Sequence, residues 1–189
     1  MEPSGRSLGE ILAGNYRRAA TLWVLIPALV LTGVFFFLWG VAGRMVTPGG
    51  TTGVELQLAF TPSRFAAVVA GWGPGVEAFK TALMMLDFAF PLVYATAVSS
   101  LAALIAGGPP AGARLWLFSL PWVAAACDWL ENLLHLGLLA NVHDGATAAA
   151  TAFPAALVAA ASAAATVKFA LILAGLLGPV VAAIRSRHR

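Results

Sequence analysis

The sequence predicts an all-α integral membrane protein: a four-helix transmembrane bundle, both termini cytoplasmic, with an outward-facing connection between helices 1 and 2. Three observations carry this. The chain of 189 residues is 60% hydrophobic and only 10% charged, where soluble domains hold about a quarter charged residues. Four apolar runs each reach the roughly 20 residues that a helix needs to cross hydrocarbon. The basic residues sit in short flanks beside those runs, which is the pattern of membrane topology. No basic stripe exists to neutralise successive phosphates, so the net charge of +3 does not point to nucleic acid as a partner.

Residues 1–189 read as a single membrane domain with spans at 20–42, 82–106, 115–139 and 155–183 and an outer cap at 44–80. Ahead of the first span, Leu8, Ile11, Leu12 and Tyr16 at helical spacing, with Arg6, Arg17 and Arg18, predict a short amphipathic helix on the membrane surface. The first span is too long for the apolar core of a cleaved signal peptide, so a retained helix is expected. Its Phe35, Phe36 and Phe37 suggest a lipid-facing helix, and Pro27 is tolerable if the freed carbonyl is satisfied elsewhere.

In the cap, Thr47, Pro48, Gly49 and Gly50 make a turn. Val54, Leu56, Leu58 and Phe60 then alternate with Glu55, Gln57 and Ala59, a strand-like period that predicts an extended strip. Thr61 before Pro62 is a helix start, with a capping hydroxyl and a proline at the first helical position. That helix carries Phe65, Val68, Val69 and Trp72, and the run Gly71 to Gly75 ends it. Gly107-Gly108-Pro109-Pro110 closes the second span. The fourth span is rich in small residues, including Ala156, Ala160, Ala164, Gly175 and Gly178, which let helices approach closely in lipid.

Orientation follows from the basic residues. Arg6, Arg17, Arg18, Arg114, Arg185, Arg187 and Arg189 fall on one side and Arg44, Arg64 and Lys80 on the other. The richer side is cytoplasmic, which puts the 44–80 cap and the Asn141–Thr151 loop outside; the inner membrane is the expected location.

Asp87, Asp128, Glu131 and Lys168 are ionisable residues within predicted spans, accompanied by Tyr94, Asn132 and His135. A charge at bilayer depth costs about 2.5–3.5 kcal/mol even on insertion scales, so such residues face the bundle interior and pair. Asp128, Glu131, Asn132 and His135 stand at i, i+3, i+4 and i+7 and share one helix face; Asp87, Pro91 and Tyr94 make a stripe on the second span, which Lys80 extends outward. Depth along the antiparallel spans predicts two layers. Asp87, Glu131, Asn132 and His135 form the outer one, and Asp128, Tyr94 and Lys168 the midplane one.

Several uses of this cluster stay open. It can order the bundle, with Lys168 neutralising Asp128 and Asn132 bonding across an interface. Asp87, Glu131 and His135 are a candidate set for one divalent metal, with His143 or Asp144 as further ligands. Protonatable groups at two depths suit a small proton-coupled transporter working as a homodimer or with another membrane subunit. A membrane-embedded enzyme would use Glu131 and His135 as an acid–base pair or metal ligands. The single cysteine, Cys127, excludes an internal disulfide and reads as packing, and Trp116, Trp122 and Trp129 read as packing or interface anchors. No phosphate-binding loop or nucleophile elbow is present.

The segments LDFAFPLVY (Leu86 to Tyr94) and PWVAAACDWLEN (Pro121 to Asn132) resemble a family of small uncharacterised bacterial membrane proteins with four transmembrane helices. In that family an LD-x-x-FP-x-x-Y second span pairs with a P…D-x-x-EN third span behind an outward helix opened by Thr-Pro. The resemblance covers about Phe60 to Leu139. It implies architecture and no mechanism.

Overall fold

The computed structural model describes residues 7–46, 53–107 and 112–187. Arg6, the turn from Thr47 to Gly50, Gly108 to Pro110, and Arg189 lie outside the described residues. The elements are α1 (Leu8–Ala19), α2 (Leu22–Val46), α3 (Gly53–Gln57), α4 (Pro62–Ala70), α5 (Val76–Ala82), α6 (Phe90–Ala106), α7 (Ala113–Leu139), α8 (Gly145–Ala150) and α9 (Ala155–Arg187). A 3₁₀ turn (Gly73–Gly75) precedes α5, and a π-helical turn (Leu83–Asp87) follows it. Among the described residues the secondary structure is entirely helical.

Among the described residues two helices are long and apolar enough to cross a bilayer, Leu22–Arg44 of α2 and Ala155–Arg185 of α9. A third crossing results if Gly73–Asp87 and Phe90–Ala106, bent by 42° at their junction, act as one. The second apolar run is therefore a broken helix and not the continuous 82–106 span expected from hydropathy. Both apolar helices turn most of their large side chains outward: Trp23 of α2 is 91% exposed, and Leu173 and Leu177 of α9 are exposed likewise. Phe36 and Phe37 are exposed, and Phe36 meets Phe90 edge-on at 5.3 Å. Phe35, by contrast, is half-buried and stacks on Phe90 at 5.7 Å.

α6, α7 and α9 pack mutually, and α2 lies against α6 and α5. Small residues line these contacts. Ala95, Ala102, Ala103, Ala124, Ala125, Ala161 and Ala165 are all buried, as close approach in an apolar solvent requires. On α9 the inward face is Val158, Ala161, Ser162, Ala165, Lys168 and Gly175. Ala164 is buried as expected, but Ala156 and Ala160 face outward. A Cβ on Gly175 would sit 3.1 Å from Pro121 Cγ, and one on Gly178 would meet Leu117 Cδ2 at 2.5 Å.

The largest hydrophobic core lies at one end of these helices. Val46, Leu56, Phe65, Val69, Trp72, Val76, Phe79, Leu139, Val142, Phe153 and Val158 form one buried cluster built from α3, α4, α5, α8 and the adjoining ends of α2, α7 and α9. Helix α4 begins as its sequence dictates, with Thr61 Oγ1 accepting from the Arg64 amide and Pro62 in the first turn. The expected strip from Val54 to Phe60 is instead helix α3 followed by a turn. The alternation does not mark a strand: Leu56 within the short helix and Ala59 just after it are buried, whereas Val54, Leu58 and Phe60 are exposed. Phe60 takes φ +54, unusual for a residue with a Cβ. Its amide is held by Ser162 Oγ of α9 at 3.0 Å.

Polar contacts close the rest of this cap. Lys80 Nζ bonds the carbonyls of Leu139 (3.4 Å) and Val142 (3.0 Å), satisfying the C-terminal end of α7, and pairs with Glu77 at 2.7 Å. Asp144 caps α8, and the Thr147 amide and hydroxyl, each at 2.7 Å, hold its carboxyl below the ordinary carboxylate range. At the opposite end α1 docks on α6 and α7. Tyr16 is buried there, with its hydroxyl donating toward the Ala103 and Gly107 carbonyls at 3.3 Å and its ring edge-on to Phe118.

Two glycines let the cap close. A Cβ on Gly75 would lie 2.9 Å from Val46 Cα, and one on Gly145 would fall on the Ala70 carbonyl oxygen. Both obstacles are backbone, so Gly75→Ala and Gly145→Ala are each expected to lower the thermal midpoint of the detergent-purified protein by several degrees. Gly14→Ala, in the middle of α1 with open space around it, should leave the midpoint unchanged or raise it slightly, by up to about 1 kcal/mol of helix propensity.

Candidate functional site

The site begins with a proline. Pro91 has no amide hydrogen, so the carbonyl four residues earlier, that of Asp87, loses its helical partner. The Leu92 amide turns to the Ala89 carbonyl at 3.2 Å, which leaves the Phe88 carbonyl without its usual partner too. Two freed carbonyls in an apolar setting must be satisfied by neighbours. Helix α7 supplies both donors from one face: Asn132 Nδ2 reaches the Asp87 carbonyl at 3.1 Å, and Trp129 Nε1 reaches the Phe88 carbonyl at 3.0 Å. The π turn and the bend are thus stitched to α7 by residues three apart.

The same face of α7 carries the charges. Lys168 Nζ of α9 stands 2.7 Å from Glu131 Oε2 and 3.1 Å from Asp128 Oδ1. All three side chains are buried, with Glu131 fully enclosed. Lys168 therefore joins the two expected layers into one cluster. His135 Nδ1 lies 3.6 Å from Glu131 Oε1, too long for a strong hydrogen bond, and its ring stacks on Phe65 of α4 at 5.9 Å. His135 Nε2 and Asn132 Oδ1 find no hydrogen-bond partner among the described residues. The Tyr94 hydroxyl lies beside Asp128 without a well-aligned hydrogen bond. The Trp39 and Asn132 side chains lie close to the Asp87 carboxyl group, and Asn132 Nδ2 donates to the Asp87 main-chain carbonyl. Among the described residues no ion pair reaches Asp87.

The cluster does not close on itself. A half-open cavity of about 850 Å³ runs along α2, from Thr32 to Arg44, and Asp87, Tyr94, Asp128, His135 and Lys168 reach its wall. Thr32 to Arg44 is about 18 Å of helix. The remaining wall is almost wholly apolar, with aromatic rings from α2, α5, α6 and α9. Gly40 and Gly43 lie on the α2 side, where an added Cβ would meet nothing within 4 Å. Arg44 and Gln57 stand where the cavity meets the cap.

All seven residues expected to form an intramembrane cluster are buried in one region. The metal set fares differently. Among the described residues no group of three or more His, Cys, Asp and Glu side chains is placed to hold a metal ion, and Glu131 is paired with Lys168. His143 is exposed and bonds Glu77 Oε1 at 2.8 Å, and Asp144 is the α8 cap, so neither reaches the cluster. Sequence reasoning missed the hydrogen bond of Trp129 to the Phe88 carbonyl. Trp129 had a signal: an indole N–H within an apolar run, three residues from Asn132 on the same helix.

Comparison with family models, with curated proteins and with solved structures finds no match.

The stitching can be isolated. Asn132→Leu is expected to destabilise the folded protein by about 1–3 kcal/mol, since it strands the Asp87 carbonyl. Pro91→Ala restores an amide at the break and should recover part of that loss, giving a favourable coupling in a double-mutant cycle. Additive effects of the two changes would refute the repair.

Proposed function

We propose that this chain is an inner-membrane protein crossing the bilayer four times with both termini in the cytoplasm, and that its buried ionic cluster is both a strut for the bundle and the polar floor of an intramembrane site for a proton and a small ligand. The four crossings would be α2, the broken α5–α6 unit, α7 and α9. Support for α7 comes from its two faces. Asp128, Glu131, Asn132 and His135 are buried, while Trp122, Val123, Leu130 and Leu133 are exposed, as suits a helix with lipid outside and polar groups inside. Trp23 and Trp116, near the starts of α2 and α7, are both strongly exposed. In this topology they share the cytoplasmic interface, where indole rings prefer to sit.

The observation that carries the ligand site is the placement of the buried Asp87, Asp128, His135 and Lys168 on the wall of a cavity. A cluster serving only to hold helices together gains nothing by bordering open space, whereas a binding site needs both. Glu131 is fully buried and locked to Lys168, which favours a strut over a general acid–base and so favours binding or transport over an enzyme. On this reading the LD-x-x-FP-x-x-Y and D-x-x-EN segments are one unit, the first creating the break and the second repairing it. That relation supports treating them as a family signature.

Three measurements test the proposal. In a Cys127→Ala background, an impermeant thiol reagent added to intact cells should label Asp144→Cys and not Ser7→Cys; the reverse pattern would overturn the orientation. Lys168→Met should cost about 3–5 kcal/mol by leaving buried carboxylates uncompensated, with partial recovery on adding Glu131→Gln; unchanged stability would remove the strut. A neutral triphenyl compound should quench Trp39 and Trp72 emission in the wild type, and Gly40→Phe, which fills the cavity, should abolish the quenching while the protein melts normally. Equal quenching in both proteins would remove the ligand site.

A further inference from the structure

The cavity's charge and walls define what it would hold, a question that rests on the binding-site reading above. The groups facing it are Asp87 from the π turn, Tyr94 from α6, Asp128 and His135 from α7, and Lys168 from α9, with Arg44 of α2 at the cap end. Glu131 stands behind Lys168. Lys80 of α5 is occupied by Glu77 and two carbonyls. Lys168 is shared between Asp128 and Glu131, so the three carboxylates outnumber the one ammonium by two, and Asp87 has no cation of its own among the described residues. Arg44 is exposed at the cap end of the cavity and forms no ion pair with Asp87 among the described residues. In surroundings this apolar, surplus negative charge must be neutralised by a proton or by a bound cation.

The walls select between cations. Phe36, Trp39, Trp72, Phe79, Phe90 and Phe169 line the cavity, and aromatic faces attract a weakly hydrated organic cation strongly once water is excluded. The ring of Phe169 already takes the Lys168 ammonium at 4.9 Å. A small inorganic cation would need a shell of oxygen ligands, which these rings do not provide. A volume of about 850 Å³ suits a drug-sized molecule. We propose that the cavity binds a lipophilic organic cation, such as an aryl or alkyl ammonium, with Asp87 as its counter-charge, and that the cation competes with a proton for the acidic floor.

The experiment uses the full chain in nanodiscs and three triphenyl or tetraphenyl probes of similar size and different charge: tetraphenylphosphonium, tetraphenylborate and a neutral triphenyl compound. Tetraphenylphosphonium is expected to bind at least tenfold more tightly than either of the others. Its affinity should rise with pH, and binding in weak buffer should release protons. Asp87→Asn should weaken the phosphonium tenfold or more and leave the neutral probe unchanged. Phe169→Leu, which keeps every carboxylate, should weaken the phosphonium selectively and serves if Asp87→Asn does not fold. Equal binding of cation and anion, or pH-independent binding without proton release, would overturn the cation assignment while leaving the cavity in place. Failure of all three probes to bind the wild type would remove the binding site itself.

Discussion

Lys168 stands between two carboxylates of α7, and much of the molecule is arranged around that contact. A lysine in an apolar interior is tolerable only when its charge is met at short range and its remaining donors have partners. Asp128 and Glu131, three residues apart on one helix face, meet it from two sides. This fixes the rotation of α9 against α7, brings the small residues of α9 to the interface, and turns Leu173 and Leu177 outward. It also decides what is left for the other polar groups. With Glu131 sealed behind the lysine, the groups that reach the cavity are Asp87, Tyr94, Asp128, His135 and Lys168 itself.

The backbone obeys the same rule as the side chains. Hydrocarbon offers no hydrogen bonds, so the carbonyls freed at Pro91 are as demanding as a buried charge. Asn132 and Trp129 meet them from the helix that also meets Lys168. One face of α7 therefore carries two duties: its carboxylates bind α9 and its amide and indole bind the broken end of the α5–α6 unit. That double duty explains why the third apolar run carries so dense a polar stripe.

The membrane character and the cluster were legible because both rest on residue type and period. Apolar runs of span length have few alternatives, and Asp128, Glu131, Asn132 and His135 can share a face only if the segment is helical. The cap was less legible. Gly53 to Phe60 alternates like a strand, and only the tertiary contact of Leu56 and the Ser162 anchor at Phe60 reveal a helix and a left-handed turn. The break at Pro91 was visible as a proline, but its repair depends on residues some forty positions away. The expected metal set failed to assemble for a similar reason. Sequence spacing shows which groups share a helix face, and it does not show which of them a lysine from another helix has already taken.

The cap core draws on residues from Val46 to Val158, and this has a consequence for assembly. Phe153 and Val158, which close that core, are synthesised after α2, α6 and α7. Until they emerge, Phe65, Val69 and Trp72 have no complete apolar shelter, and Phe60 lacks the hydroxyl that holds its turn. The cap core is therefore complete only once the start of α9 is present to close it.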